Sequence, residues 1–357
     1  MNISSTKMVR MMRYTYCSSH NRDMNILWLR PTKPENISVG RERISEQLER
    51  RGHNVHIQDS SGLDAFHAIK EAMTSDYDVT IGTVRMGLYV GFLSSKILNR
   101  PFIADVTDPI EQIDDLPKPL YDLLYEYEYF VLTCADEKLY VYQSSYEEAK
   151  QRGINGKKVK NGVQFDRFNS PDPGVVESAR SELEAAGVDL DTPIAMYIGG
   201  LTPAYHIREI LDAAVMVDDV EFVFVGSGEL RDPVTNAASE NQNIHFLGSY
   251  EYELIPGFLA CADIGLCLVD AEQPLKILEY GAAELPVLAC YGELQQRFTN
   301  DEVIFVDPDE LQSAILSILE DPEVYQSYAH QLADRAENAD WKQIATEYEQ
   351  ALKRAIE

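Results

Sequence analysis

Three short segments hold residues whose types and spacing can do chemistry. In Pro274-Leu275-Lys276-Ile277-Leu278-Glu279-Tyr280, a helix beginning near Pro274 sets Lys276 and Glu279 three residues apart on one face. A cation and a carboxylate so placed can hold a phosphate and a sugar diol. Taken alone, they are equally a surface ion pair worth under ~1 kcal/mol. Tyr197-Ile198-Gly199-Gly200-Leu201 closes an apolar run with two glycines. Such a turn lets backbone N–H groups approach an anion at a helix N-terminus, or it simply joins strand to helix. Val225-Gly226-Ser227-Gly228-Glu229-Leu230 offers two glycines of a dinucleotide fingerprint. Arg231 stands where the third belongs and the segment lies late in the chain, so a nicotinamide enzyme is not indicated.

The elements that must position these segments follow from hydrophobic patterning. Ile26–Leu29, Val55–Ile57, Tyr77–Ile81, Pro101–Val106 and Leu139–Tyr142 have strand character. Between them, Arg41–Arg51, Gly87–Leu98 and Leu120–Phe130 have helical character. Turn residues at Phe168–Gly174 interrupt the series. It resumes with Ile194–Ile198, Val220–Val225, Ile244–Leu247, Ile264–Val269, Pro286–Ala289 and Val303–Val306. This alternation predicts an α/β chain with two Rossmann-like, doubly wound parallel-sheet domains, over residues 24–170 and 171–340. Ile344, Tyr348, Leu352 and Ile356 recur at i, i+4 and predict an amphipathic helix over 341–357. Ligands of such sheets lie beyond the carboxyl ends of the strands, which points to a cleft between the domains.

Composition narrows the function. The chain has 357 residues, 45% of them hydrophobic, enough for two ordinary cores. No run approaches the ~20 apolar residues of a spanning helix. Asp and Glu number 59 against 31 Lys and Arg, a formal charge of −28, which excludes general wrapping of nucleic acid. Lysine is scarce, and an acidic surface of this kind suits the cytoplasm of an extreme halophile, where salt screens self-repulsion. Five cysteines without C-x-x-C spacing indicate neither a disulfide framework nor a zinc site. Residues 1–23 are basic and lack the apolar core of a secretory signal, and are expected to be a disordered extension.

In their order, the Gly-Gly turn, the Gly-Ser-Gly turn, Phe246-Leu247-Gly248 and Pro-x-Lys-x-x-Glu-Tyr resemble the donor-binding domain of glycosyltransferase family 4, a retaining group with the two-domain GT-B fold. Arg51-Gly52-His53-Asn54-Val55, Asn161-Gly162-Val163, Asp105–Pro109 and Trp341 extend the resemblance over residues 24–357, in a haloarchaeal type of sequence. The resemblance implies that Glu279 binds the ribose of a nucleotide sugar and Lys276 faces its phosphates. Gly199, Gly200 and Leu201 would border the phosphates or the sugar, followed by Pro274 and Leu275 at the head of the helix. Gly226, Gly228, Leu247 and Gly248 would border the nucleoside. On the acceptor side it points to Gly40, Arg41, Asp105 and Asp108, and it implies a C-terminal helix returning to the first domain. No metal or cofactor is expected; Asp189-Leu190-Asp191 precedes a strand and reads as a loop or cap.

The sequence departs from the family pattern in places. Gly200 and Tyr205 stand where many members carry Arg and Lys; Arg208, one helical turn on, is the residue expected to compensate, with His206 more suited to opening a helix. Ala271, beside Glu272, replaces a carboxylate, and the N-terminal glycine pair is missing near Glu35-Asn36. Ile81-Gly82-Thr83 lacks the acceptor-side histidine.

The expected activity is transfer of a sugar, with retention, from a nucleotide-diphosphate sugar to a glycan or lipid-linked acceptor. The location would be cytoplasmic or peripheral at the inner membrane face. The alternatives are a nucleotide-sugar isomerase on the same fold, or a non-catalytic binding and assembly protein. The basic stretch Lys150, Arg152, Lys157, Lys158 and Lys160 faces either an anionic membrane or plain solvent.

Overall fold

The run Asn25–Arg30 (β1) has Ile26, Leu27, Trp28 and Leu29 wholly buried, which requires cover on both faces of its sheet. The computed structural model describes residues 23–31, 37–62, 64–107, 117–269 and 274–357. The expected extension over residues 1–22, Glu35-Asn36, Asp108, Ala271 and Glu272 lie outside the described residues. β1 is followed by α1 (Ile37–Arg50), β2 (Asn54–Asp59), α2 (Asp64–Thr74), β3 (Val79–Thr83), α3 (Val84–Leu98) and β4 (Phe102–Val106). Then come α4 (Lys118–Cys134), β5 (Glu137–Tyr140), α5 (Gln143–Gln151) and β6 (Lys157–Lys158). These six strands form one parallel sheet in the order β2-β1-β3-β4-β5-β6.

Two helices, α6 (Phe165–Asn169) and α7 (Pro173–Ala185), lead to the second sheet, and Asp172 caps α7 by accepting from the N–H of Gly174. Its elements are β7 (Ile194–Gly200), α8 (Ile207–Val215), β8 (Glu221–Ser227), α9 (Arg231–Glu240), β9 (Ile244–Gly248) and α10 (Ile255–Leu259). They continue with β10 (Ile264–Cys267), α11 (Lys276–Ala282), β11 (Val287–Cys290), β12 (Ile304–Val306), α12 (Leu311–Glu320) and α13 (Pro322–Glu337). The order is β12-β11-β10-β7-β8-β9, again parallel. Strand order reverses between β7 and β10, so the chain leaves their carboxyl ends in opposite directions and opens a crevice there.

The last helix, α14 (Trp341–Ile356), belongs by packing to the first sheet. Trp341, Ile344, Tyr348 and Leu352 share a core with Ile26, Trp28, Ile44 and Leu48. Arg51 fixes α14 from outside, through Glu349 at 2.8 Å and the carbonyl of Lys342 at 2.6 Å. At the crossing, the N–H of Val163 donates to the carbonyl of Ala339 and the N–H of Trp341 to that of Val163. Asp340 caps α14 and also accepts from the N–H of Phe165. Among the described residues no helix is long and apolar enough to cross a membrane.

Candidate functional site

The crevice beside β7 is built on Lys276 and Glu279 in the first turn of α11. Pro274 and Leu275 precede that turn, as a residue without a backbone N–H can. The Lys276 ammonium lies 3.8 Å from the centroid of the Tyr205 ring and 4.4 Å from that of Tyr197. It donates to the Tyr197 hydroxyl at 3.3 Å, and that hydroxyl donates to the carbonyl of Gly200 at 2.5 Å. Gly199 leaves room for this arrangement: a Cβ there would stand 2.5 Å from the Lys276 nitrogen, and its φ of +145° suits glycine. Burial pushes the Lys276 pKa down to about 8, against the smaller opposing pull of Cys267 and Glu279.

Glu279 accepts a hydrogen bond from the Tyr252 hydroxyl at 2.6 Å. The Arg167 guanidinium lies over the Tyr252 ring at 4.8 Å and donates to the Tyr252 carbonyl. Burial raises the Glu279 pKa; the Tyr252 hydrogen bond, Lys276 and Arg167 pull the other way. One oxygen of Glu279 is thus committed to Tyr252, and the other has no hydrogen bond among the described residues. The pair offers a cation for a phosphate and a carboxylate for hydroxyls, side by side.

The structure brings Gly199, Gly200, Lys276 and Glu279 together, and corrects other expectations. Leu201 is buried, its N–H donates to the carbonyl of Ser227 and its carbonyl accepts from Leu230, so it has no backbone amide to give a phosphate. A 3-10 turn over Pro203–Tyr205 separates β7 from α8, so no helix N-terminus lies at Gly199–Leu201. His206 sits at the start of α8 with a φ of +49°. Arg208 is exposed on the first turn of α8 and forms no ion pair among the described residues. Gly226 and Gly228 let two turns pack: a Cβ at Gly226 would stand 1.8 Å from the carbonyl oxygen of Gly199, and one at Gly228 2.4 Å from that of Leu201. Leu247 and Gly248 end the edge strand β9, with open space at Gly248.

The acceptor-side expectation is corrected more strongly. Arg41 and Asp105 are 3% and 0% exposed and bind each other twice, at 2.9 and 3.0 Å. Tyr348 and Thr83 donate to the two Asp105 oxygens at 2.6 and 2.7 Å, and the Trp28 indole donates to Thr83. These groups tie α1, β3, β4 and α14 into one core, with Nε and Nη2 of Arg41 and both oxygens of Asp105 bonded inside it. Gly40 is explained by Trp341, whose ring would lie 2.8 Å from a Cβ there. The basic stretch also disperses: Arg152 lies over Tyr129 and bonds Glu126, Lys157 pairs with Glu347, and Lys158 bonds Gln143. Asp189 accepts from the N–H of Asp191 and the hydroxyl of Thr192, closing a local turn.

Sequence reasoning missed Tyr197, Tyr205, Tyr252 and Arg167. The available signal is aromatic: Tyr205 stands where many members of the family carry Lys, and it supplies a ring face for the Lys276 ammonium.

The fold is the two-domain GT-B arrangement of known glycosyltransferases. The chain is similar to the Anabaena HepE protein crystallised with UDP-glucose, at 19% identity over 92% of this chain and 99% of that one, with a TM-score of 0.71. It is similar to sucrose-phosphate synthase from Thermosynechococcus elongatus, at 16% identity over 92% and 98% of the two chains, TM-score 0.69. The catalytic domain of Arabidopsis thaliana starch synthase IV, bound to ADP and acarbose, is 12% identical over 94% and 100%, TM-score 0.68. No curated protein sequence matches the chain. Residues 192–321, from β7 through α12, match the family model of the glycosyl transferases group 1.

Proposed function

We propose that this protein transfers a sugar, with retention, from a nucleotide-diphosphate donor to a glycan or lipid-linked acceptor, without a metal ion. The observation that carries this reading is the pairing of Lys276 and Glu279 on the first turn of α11, at the crevice where strand order reverses. The group 1 match over that domain and the UDP-glucose held by HepE support it. Glu279 takes the hydroxyls of the ribose and Lys276 takes the diphosphate. Breaking the anomeric bond gathers negative charge on the leaving diphosphate, and a preplaced cation lowers the energy of that state. Neither Gly200 nor Tyr205 supplies a cation, so Lys276 carries this task with the neighbouring backbone.

The acidic surface supports work at high salt, on the cytoplasmic side of a membrane. Nine of the fifteen large apolar side chains exposed among the described residues lie on α2, α3 and α4 of the first domain. That concentration supports an acceptor met at a bilayer surface.

Thermal unfolding in molar KCl with UDP, GDP, ADP, TDP and their sugars tests the reading. A ligand at ~100 times its Kd stabilises the fold by ~2.7 kcal/mol. One nucleotide is expected to raise the Tm of the wild type and not of Glu279→Ala. A panel without any response, or an equal response in both proteins, removes the site assignment. A rearranged sugar nucleotide formed without acceptor identifies an isomerase, and a bound donor left intact identifies a non-catalytic binding protein.

A further inference from the structure

A second polar cleft lies between the domains. It encloses about 320 Å³, and its walls include Lys158, Lys160, Gln143 and Glu347 from the first domain and its returning helix, with Arg297 and Arg335 from the second. It adjoins a smaller hollow that shares Lys160, Arg297 and Arg335 and is closed by Pro274 and Leu275. Four cations against one carboxylate line this cleft, in a chain whose acids outnumber its cations 59 to 31. The carboxylate, Glu347, is already paired with Lys157. Arg335 is set in place by Glu302, by the carbonyl of Arg297 and by the ring of Phe298. Lys160 is exposed, with no ion pair among the described residues.

We infer that this cleft binds a phosphate-bearing ligand separate from the nucleotide and, in doing so, ties the two domains together. Lys158 lies in the edge strand β6 of the first sheet and Lys160 just beyond it, whereas Arg297 and Arg335 belong to the second domain. An anion between them is attracted from both sides, and charge-assisted hydrogen bonds from an arginine suit a phosphate in particular. The inference does not depend on Lys276 and Glu279, because none of the four cations belongs to that pair.

Calorimetric titration tests this in the presence of saturating UDP, so that the nucleotide site is filled if it exists. The probes are inorganic pyrophosphate, for a soluble source, and dihexanoyl phosphatidic acid below its micelle concentration, for a lipid headgroup. The variants are Lys160→Glu and Arg297→Gln, with Arg180→Glu on α7 as a control that makes the same charge change as Lys160→Glu outside the cleft. Either probe is expected to bind the wild type and the control alike, and at least tenfold more weakly in both cleft variants. The probe that binds identifies the source. Wild-type protein that binds neither probe, or cleft variants that bind like the control, overturns the inference. A failure of UDP itself to bind bears only on the proposed function.

Discussion

The Lys276 ammonium is 3.8 Å from the centre of the Tyr205 ring, and it reaches that position from a different strand-to-helix connection. This contact holds the cation over the end of β7, facing the crevice, at little cost in mobility. A cation over a ring face is worth ~0.5–2 kcal/mol, and more as water is excluded. Tyr205→Leu is therefore expected to weaken nucleotide binding by about 2- to 30-fold. Tyr205→Phe keeps the ring and should stay near wild type. Titration of both variants with the responsive nucleotide checks this, and equal losses in Phe and Leu would point to the hydroxyl instead.

The same site predicts a pH dependence with two limbs. Burial lowers the Lys276 pKa to about 8, so the unliganded protein loses this charge as pH rises through 8. A diphosphate prefers the charged form, and affinity should fall above pH 8 by up to about tenfold per unit. Glu279 is shifted upward by burial, so acidification protonates it earlier than an ordinary glutamate, and affinity should fall on that side too. Lys276→Met should abolish the alkaline limb and leave the acid limb. Calorimetry from pH 5 to 9.5 distinguishes these outcomes from a flat profile, which would separate nucleotide binding from both groups.

Much of the fold was legible because parallel strands buried on both faces leave unbroken apolar runs. All six strands of the second sheet were expected near their observed places. β6 was not, because Lys157 and Lys158 are both charged and pair with β5 only at the sheet edge. Lys276 and Glu279 could be paired from sequence because a helix makes their relation local. Tyr197 and Tyr252 could not, since they lie 79 and 27 residues from the groups they bond. Arg41 and Asp105 misled for a different reason. The family resemblance points to them as acceptor-side residues, and only burial and their mutual distance reveal them as partners.

That buried pair predicts a loss of stability. Arg41→Met leaves Asp105 as an uncompensated charge in the core, which typically costs ~3–5 kcal/mol. Arg41→Met with Asp105→Leu removes both charges and should cost much less than the two single changes added together. Thermal unfolding measures the three variants. The folded fraction of Arg41→Met should still bind nucleotide like wild type, because Arg41 is buried against Asp105 and Tyr348 in the first domain. A selective loss of acceptor use at unchanged Tm would restore the acceptor role that its geometry denies.

The exposed apolar face of α2, α3 and α4 leads to a prediction about membranes. Phe66 and Leu123 are 73% and 66% exposed, and Met86 and Leu93 on α3 and Phe130 on α4 are exposed too. Rings tie α3 to α4, with Phe92 edge-on to Phe130 and Tyr89 edge-on to Tyr127. α3 contains no acid, its charges being Arg85 and Lys96, and Lys96 lies over the Phe92 ring. An apolar strip with Lys96 beside it can enter a bilayer surface, where a lysine stem buries while its head meets a lipid phosphate. Phe66→Ser with Leu123→Ser should change Tm little, since neither side chain is buried. Each apolar side chain that inserts fully contributes ~1.5–3 kcal/mol, so co-sedimentation with phosphatidylglycerol vesicles should fall by tenfold or more. Vesicle binding that the double variant leaves intact would assign this face to something other than a bilayer.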